Sequence, residues 1–313
     1  MCCPCRVIGH GVTILLAVLA AGFLAVGIVV RQRATLDVPA EDGVSSVMFL
    51  TLIRRPLWWA GTAAAVAGFV FQALALANGS LMLVQPILVS ALLFALPLSA
   101  RLAHRRVTRA EWAWALLLTA ALAVFVVLAK PTPGDYEASL KTSAIVAVTC
   151  TVAVLVCVVV ALRCSGWRRA VLLAVAVGVL FGVVAVLTKL FMHVLIHEGV
   201  VAVLTTAVPY LLVLLGVVAV LLQQSAFHAG SLQTSVPTML TLEPVIAVLL
   251  GAIVLGEHLD VGRWDAVAIS AATVAMAAGT IALGRDEGAY EERLTAPAAK
   301  PAGSLGHAAS GSE

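Results

Sequence analysis

One carboxylate stands in the middle of a long apolar stretch of this sequence. Glu243 is followed by Pro244 and lies in the segment "TMLTLEPVIAVLLGAIVLGEHL". A charged side chain near the centre of a bilayer costs about 2.5–3.5 kcal/mol, so it is by default a functional candidate. A carboxyl group can bind and release a proton, and Pro244 leaves the carbonyl of Leu240 without its helical hydrogen bond. Glu243 is therefore the candidate proton-coupling residue.

Other polar side chains in apolar segments could also contact a solute. Amides and hydroxyls in a membrane either bind a solute or hydrogen-bond across helices, and the second use is the commoner one. The candidate substrate-binding residues are Gln72, Gln85, Gln223, Gln224, Thr238, Thr241 and Glu243. Three prolines, Pro86, Pro237 and Pro244, are expected to be structural helix breaks.

A second group of ionisable residues lies near the end of one apolar segment. Lys189, His193 and His197 recur at spacings of four, which places them on one helix face, and Glu198 follows. Two histidines could bind a metal or relay protons. We expect instead that Lys189 extends outward to water and that the histidines meet solvent, so no metal site is predicted.

The composition limits the class of protein. Of 313 residues, 62% are hydrophobic and only 11% are charged, which predicts an all-α polytopic membrane protein whose first partner is the lipid bilayer. The net charge of +3 gives no support for nucleic-acid binding. The sequence contains no P-loop, nucleophile elbow or zinc-protease helix, so neither an enzyme nor a bound cofactor is expected. The six cysteines, including Cys2, Cys3 and Cys5, lack metal-site spacing.

Apolar windows of bilayer length predict about nine transmembrane helices. They cover residues 11–30, 57–77, 81–100, 111–129, 143–162, 170–192, 200–227, 233–255 and 265–284. The stretch from Val44 to Ile53 is too short to cross and is expected at the interface. The domain organisation is then an extracytoplasmic N-terminus (1–10), two transmembrane halves (11–130 and 143–284) and a disordered cytoplasmic tail (285–313).

Arginines in the short loops predict the orientation, because Lys and Arg accumulate on the cytoplasmic side. With the N-terminus outside, the inner loops contain Arg31, Arg33, Arg54, Arg55, Arg101, Arg105, Arg106, Arg109, Arg163, Arg168 and Arg169. The outer ends keep only Arg6, Lys130, Lys141 and Arg263. The prediction is a multi-pass protein of the cell membrane with an external N-terminus and a cytoplasmic C-terminus.

The two halves contain an internal repeat. "FQALALANGSLMLVQP" (71–86) aligns with "LQQSAFHAGSLQTSVP" (222–237), which pairs Gln72 with Gln223 and Pro86 with Pro237. The loops that follow have opposite charge: arginines in the first copy, and Glu257, His258, Asp260, Arg263 and Asp265 in the second. Equivalent loops are therefore expected on opposite faces. This inverted repeat is the architecture of many secondary transporters. In register, Leu92 aligns with Glu243, so the carboxylate has no counterpart.

These segments resemble a known group of transporters. "SVPTMLTLEPVIAVLLGAIVLGEHLDVGRW" (235–264) resembles the second-half signature of the drug/metabolite transporter (DMT) superfamily, EamA-like members included. "RRPLWWAGTAAAVAGFVFQALALANGSLMLVQPILVSAL" (54–92) is similar to the NIPA branch, whose members are magnesium transporter-like and have nine spans. The resemblance implies an inverted-repeat bundle and places Glu257 at the superfamily's terminal Glu, where we expect it to tie helices together.

Two departures from the NIPA pattern affect the substrate. That pattern has a Glu in the second helix and another at the end of the third, where this chain has Phe69 and, in "LPLSARL", Ser99 and Ala100. Magnesium prefers several oxygen ligands, carboxylates above all. We therefore expect a secondary transporter of a small organic solute or metabolite, working by alternating access and coupled to protons through Glu243. The alternatives are a magnesium or other divalent cation permease and a non-transporting membrane scaffold. Small residues such as Gly61, Ala65 and Gly68 fit either packing within the bundle or a homodimer.

Overall fold

A computed structural model describes most of the chain as a bundle of long helices. It describes residues 4–36, 56–102, 107–129, 131–132, 140–229, 232–259 and 261–295. The predicted interfacial stretch Val44–Ile53 and residues 296–313 of the predicted tail lie outside this part, as do Cys2, Cys3, Lys130, Gly230, Ser231 and Asp260.

Eleven helices and two very short strands make up the described chain. In order they are α1 (Pro4–Leu36), α2 (Pro56–Asn78), α3 (Leu81–Leu88), α4 (Ala91–Leu102), α5 (Arg109–Leu128), β1 (Pro131–Thr132), α6 (Leu140–Arg163), α7 (Trp167–His197), α8 (Gly199–Thr205), α9 (Val208–Ala229), α10 (Leu232–Val254), β2 (His258–Leu259) and α11 (Arg263–Thr295).

The number of spans agrees with the prediction. Eight helical segments of the described chain are long and apolar enough to cross a membrane, with α3 and α4 together forming one of them, and α8 plus α9 adds a ninth if the pair is one span. That pair is bent by 60°, so the predicted continuous span 200–227 is wrong in its first part. The break lies at Thr206 and Ala207, just before Pro209, and proline is favoured in the first turn of a new helix.

The first two helices form a tight antiparallel pair. A Cβ added to Gly27 would lie 2.7 Å from the backbone nitrogen of Ala65, and one added to Gly68 would lie 2.7 Å from Leu24 Cγ. Gly79, just after α2, meets Thr13 of α1 in the same way. The small residues that could have served a dimer therefore pack within this bundle, because only a glycine permits such a close approach.

Helix α7 lies at the centre of the second half. It packs against α2, α3, α6, α9 and α10. Gly178 lies against Leu242 and Gly182 against Ile246, so α7 and α10 run in the same direction with a constant register. In contrast, α6 is almost wholly exposed on the outside of the bundle, where its apolar surface faces lipid.

The last span closes the bundle against the first half. Gly279 of α11 packs on Leu118 of α5, and Gly284 packs on Pro237 of α10. At one end β1 pairs with β2 in antiparallel fashion, with Thr132 opposite His258. Thr108 and Glu111 form a reciprocal capping box at the start of α5, which satisfies two free N–H groups. Helix α11 continues to Thr295, past Arg285, where the tail was expected to begin.

We call the end of the bundle that carries Gly79, Lys189 and Glu257 the Glu257 end. The opposite end, which carries Arg101 and Arg163, is the Arg101 end. The α3–α4 pair begins at the Glu257 end and finishes at the Arg101 end.

Candidate functional site

Glu243 lies inside the bundle on α10. Its neighbours one turn away on the same face, Met239 and Ala247, are buried in two different core clusters. Glu243 itself is surrounded by protein but keeps part of its surface accessible. It has no hydrogen-bond or ion-pair partner among the described residues. Part of the surface of this carboxyl group is therefore not covered by packed neighbours.

The third span is broken near its middle, between α3 and α4. Val89 and Ser90 form a turn in which Ser90 N–H donates to the Ile87 carbonyl (2.9 Å) and Leu92 N–H to the Val89 carbonyl (3.2 Å). Pro86 precedes the break, and its ring removes a donor and clashes with the preceding turn. The expectation that Pro86 breaks the helix is thus consistent with the interruption one turn later.

Two polar side chains at this break have no partner in the described chain. Gln85 is 2% exposed and Ser90 is 5% exposed, and neither the Gln85 side-chain nitrogen nor the Ser90 hydroxyl makes a hydrogen bond. Buried polar groups are nearly always satisfied, so each orphan atom marks a place where a ligand, water or another conformation supplies the partner. The sequence prediction included Gln85 but missed Ser90, because a single serine among aliphatic residues carries no local signal.

Glu243 and the helix break lie at the same depth. Helix α3 begins at Leu81 beside Gly251, since a Cβ on Gly251 would lie 3.2 Å from Leu81 Cβ. The two helices are antiparallel, so the path inward from this contact follows α3 forward along the chain and α10 backward. About eight residues inward along each helix, or about 12 Å, the chain reaches Val89 on one side and Glu243 on the other. This level is near the middle of a hydrocarbon core about 30 Å thick.

The amides of the repeat reach a similar level. Gln72 is buried in α2 and lies about 10 Å from Gly79 along the helix. Gln223 is half-buried in α9, one turn from Ala226, which packs in the same cluster as Val177 and Met239. Both residues therefore lie within about one turn of the level of Glu243. The side chain of Gln224 lies outside the described residues.

The two predicted threonines lie near Pro237 on α10. Thr241 donates to the carbonyl of Pro237 (2.8 Å), so its proton serves the backbone of its own helix. Thr238 is half-buried on the same helix. Both α10 prolines, Pro237 and Pro244, lie within a helix that continues across them, so neither terminates it.

A buried ion pair occupies the Glu257 end. Lys189 of α7 contacts the Glu257 carboxylate, and the two side chains are 5% and 0% exposed. Glu257 also accepts from the N–H groups of Leu81 (3.0 Å) and Met82 (3.2 Å) at the start of α3. Lys189 donates further to the carbonyl of Gly79 (2.8 Å). A carboxylate at a helix N-terminus and an ammonium beside it satisfy both free N–H groups and the helix dipole.

This cluster corrects one prediction and confirms another. The expectation that Lys189 extends outward to water is wrong, because its ammonium turns inward to Glu257 and Gly79. The expectation that Glu257 ties helices together is confirmed, since it bonds α3 and α7 at once. The sequence contained a signal for this pair. Glu257 and Lys189 lie near the ends of two predicted spans on the same side of the membrane, and their charges are opposite.

The histidines remain close to each other at the end of α7. The ring centroids of His193 and His197 lie 4.5 Å apart, with His193 half-buried and His197 exposed. Within the described ranges no group of three His, Cys, Asp or Glu side chains is placed to hold a metal ion.

Comparison with known proteins gives one informative match. The chain is 36% identical over 281 residues to an uncharacterized protein of Corynebacterium glutamicum, an alignment that covers 87% of this chain and 94% of the relative. No family model matches the chain. No solved structure matches it either.

Proposed function

We propose, from the premise that the chain belongs to the family of the Corynebacterium glutamicum protein, that it is a secondary transporter of a small organic solute. The name of that relative assigns no activity, so the proposal rests on the site. The solute would move by alternating access between the Glu257 end and the Arg101 end. The protein would lie in the cell membrane with its N-terminus, and hence the Glu257 end, outside.

The observation that carries this proposal is a set of polar side chains near mid-depth, Glu243, Gln85 and Ser90, which we call the polar level. Glu243 lacks a partner there, and the orphan side chains of Gln85 and Ser90 flank a broken helix at or within one to two turns of the same depth. Transporters place solute sites near the bilayer midplane, where discontinuous helices free backbone and side-chain groups for binding. Unsatisfied polar groups cost free energy in an apolar core, so a purely structural membrane protein has no reason to keep them.

The arrangement of the two repeats supports the same proposal. Helix α10 aligns in sequence with the α3–α4 span, yet the two run in opposite directions, since the start of α3 lies beside the end of α10. Helix α1 packs against α2, α3 and α4, much as α7 packs against α9 and α10. Both features are those of an inverted DMT-type repeat, in which two similar halves rock about a central site.

Glu243 is the proposed proton carrier. Within the described chain, Glu243 has no counter-charge at the polar level. Lys189 and Glu257, by contrast, neutralise each other. A carboxyl group with access to an internal space can take up a proton from one side and release it to the other. The family resemblance to DMT proteins, with its NIPA-like first half, is part of the proposal.

The divalent cation alternative gains nothing from the geometry. Phe69 stands where the NIPA pattern has a carboxylate. It is 58% exposed on the outer surface of α2, so this position supplies no ligand to a site inside the bundle. Ser99 donates to the carbonyl of Leu96 (3.1 Å) and offers no charge. A hard cation prefers several carboxylate or carbonyl oxygens.

The test is transport by the purified full chain in liposomes with an imposed pH gradient. Solutes are first selected from a metabolite panel by their ability to raise the thermal midpoint of the protein. Glu243→Gln should abolish proton-driven accumulation while leaving solute exchange measurable, because the amide cannot release a proton. Glu198→Gln removes an exposed carboxylate at the end of α7 and is the matched control.

Three results would count against the proposal. Proton-driven uptake that survives in Glu243→Gln contradicts the role of that residue. Magnesium flux in place of solute flux would establish the permease alternative. The absence of any flux or ligand binding over the whole panel would favour the scaffold.

A further inference from the structure

The cluster at the Glu257 end joins the two halves of the molecule. We propose that Lys189 and Glu257 form the gate that closes the Glu257 end of the transport path, and that the structure is the state closed at that end. The inference rests on the proposed function, since a gate needs a path.

Three hydrogen bonds of the cluster cross between the halves, whereas the Lys189–Glu257 ion pair lies within the second half. Gly79, Leu81 and Met82 belong to the first half, whereas Lys189 and Glu257 belong to the second. Separation of the halves at this end must therefore break two bonds from the start of α3 and one from Lys189 to Gly79. These three bonds are lost when the halves part, because each has its donor in one half and its acceptor in the other.

The space around the cluster is fully filled. Leu81 and Leu255 are 0% and 1% exposed, and a Cβ on Gly251 would lie 3.1 Å from the Glu257 carboxylate and 3.2 Å from Leu81 Cβ. The contact between Glu257 and the start of α3 is thus tightly packed in this structure. A solute that reaches Glu243 from the Glu257 end requires the cluster to open.

The opposite end has no such closure in the part of the chain that the structure describes. Arg101, Arg163 and Arg169 are exposed there, and none of them forms an ion pair with a described residue. The repeated loop has arginines where the second half has Glu257. Within the described chain, only the Glu257 end is therefore held by a buried ion pair that hydrogen-bonds across the halves.

The chemistry of the cluster suits a contact that opens and closes. Glu257 follows the end of α10 and so lies near the boundary with water. When the halves part, water can hydrogen-bond the carboxylate, the ammonium and the free N–H groups, which offsets most of the lost bonds. An apolar seam of the same area would gain no such compensation on opening.

Side-specific labelling of a cysteine at the helix break tests the gate. The six native cysteines are replaced by alanine and Ser90→Cys is introduced as the reporter. A membrane-impermeant methanethiosulfonate is applied from one side at a time to the full chain in oriented proteoliposomes. In the background protein we expect labelling mainly from the Arg101 end.

Loss of the cluster should open the other end. Glu257→Gln and Lys189→Met should each raise the labelling rate from the Glu257 end by about tenfold, the factor that corresponds to one lost charge-assisted hydrogen bond. Glu198→Gln and Lys141→Met, which alter exposed charges, are the controls and should leave the rate unchanged. Circular dichroism and the thermal midpoint confirm that the labelled fraction is folded.

The outcomes separate the gate from a structural role and from the transport proposal. Equal increases from both ends would mean that the cluster only holds the fold together, and unchanged labelling would mean that it does not close the path; either result overturns the gate. A one-sided increase in a protein that transports no solute would support the gate and contradict the proposed transport.

Discussion

At the scale of single residues, the most sensitive feature of the bundle to truncation of one partner is a buried charge pair. Two ions removed from water are stable only when each has good partners, and here Glu257 and Lys189 each have at least one further hydrogen bond. The pair is 68 residues apart in sequence. Its two members looked like separate interfacial charges, because only the tertiary approach of α3 and α7 decides whether Lys189 turns inward or outward.

Removal of one member of this pair should destabilise the protein strongly. Lys189→Met leaves the Glu257 carboxylate buried without its counter-charge, at a cost of about 3–5 kcal/mol. The double variant Lys189→Met/Glu257→Leu should recover much of this loss, since no isolated charge remains. Thermal unfolding in detergent measures both, with Lys141→Met as the exposed control. A single variant as stable as the parent protein would show that water reaches the pair.

At the scale of the elements, the closest helix contact is that between α1 and α2. Its glycines permit the approach at two levels, Gly27 beside Ala65 and Gly68 beside Leu24. The sequence showed the small-residue spacing but could not say whether it served the bundle or a second copy. The spacing of small residues along one helix can be read from its own sequence. The identity of the helix that packs against them cannot.

Substitution of one glycine in this contact should separate the two helices. In Gly27→Ala the new Cβ would lie 2.7–2.9 Å from the backbone of Ala65, which cannot move alone, so we expect a loss of about 1–3 kcal/mol. Gly22→Ala is the matched control on the same helix, because nothing lies within 4 Å of its Cβ. It should be neutral or stabilise α1 by up to about 1 kcal/mol. Equal midpoints for the two variants would contradict this packing.

The elements also show where prediction from the sequence succeeds. Every predicted span has its helix, because hydrophobic length is a local property that the bilayer imposes. The bend before Pro209 was not predicted, since proline is tolerated in transmembrane helices and its effect depends on what packs nearby. At the site, Glu243 and Gln85 were predictable as polar residues in apolar runs. Their proximity in depth, within about one turn, required the register of α3 against α10.

At the scale of the whole molecule, the two halves meet at the Glu257 end, where the start of α3 lies beside the end of α10. Leu81 and Gly251 are near enough for a covalent bridge. Their Cβ positions lie 3.2 Å apart and a disulfide needs about 3.5–4.5 Å, so the two helices must separate by only a few tenths of an ångström. A cysteine pair at these positions would lock this end of the bundle.

The locked molecule should stop transporting. In a background without native cysteines, Leu81→Cys/Gly251→Cys should cross-link on oxidation and lose solute flux, and a reductant should restore both the free thiols and the flux. Each single cysteine variant is a control that cannot cross-link. Full transport by the oxidised double variant would mean that the halves do not part here.

The bonds of Glu257 to α3 also have a consequence for biogenesis. Leu81 and its partner Glu257 are 176 residues apart, so the first half enters the bilayer long before Glu257 has been synthesised. Until then the N–H groups of Leu81 and Met82 and the carbonyl of Gly79 have no partner from the second half. A nascent or truncated chain that ends before Glu257 therefore leaves this turn without the carboxylate that satisfies its N–H groups.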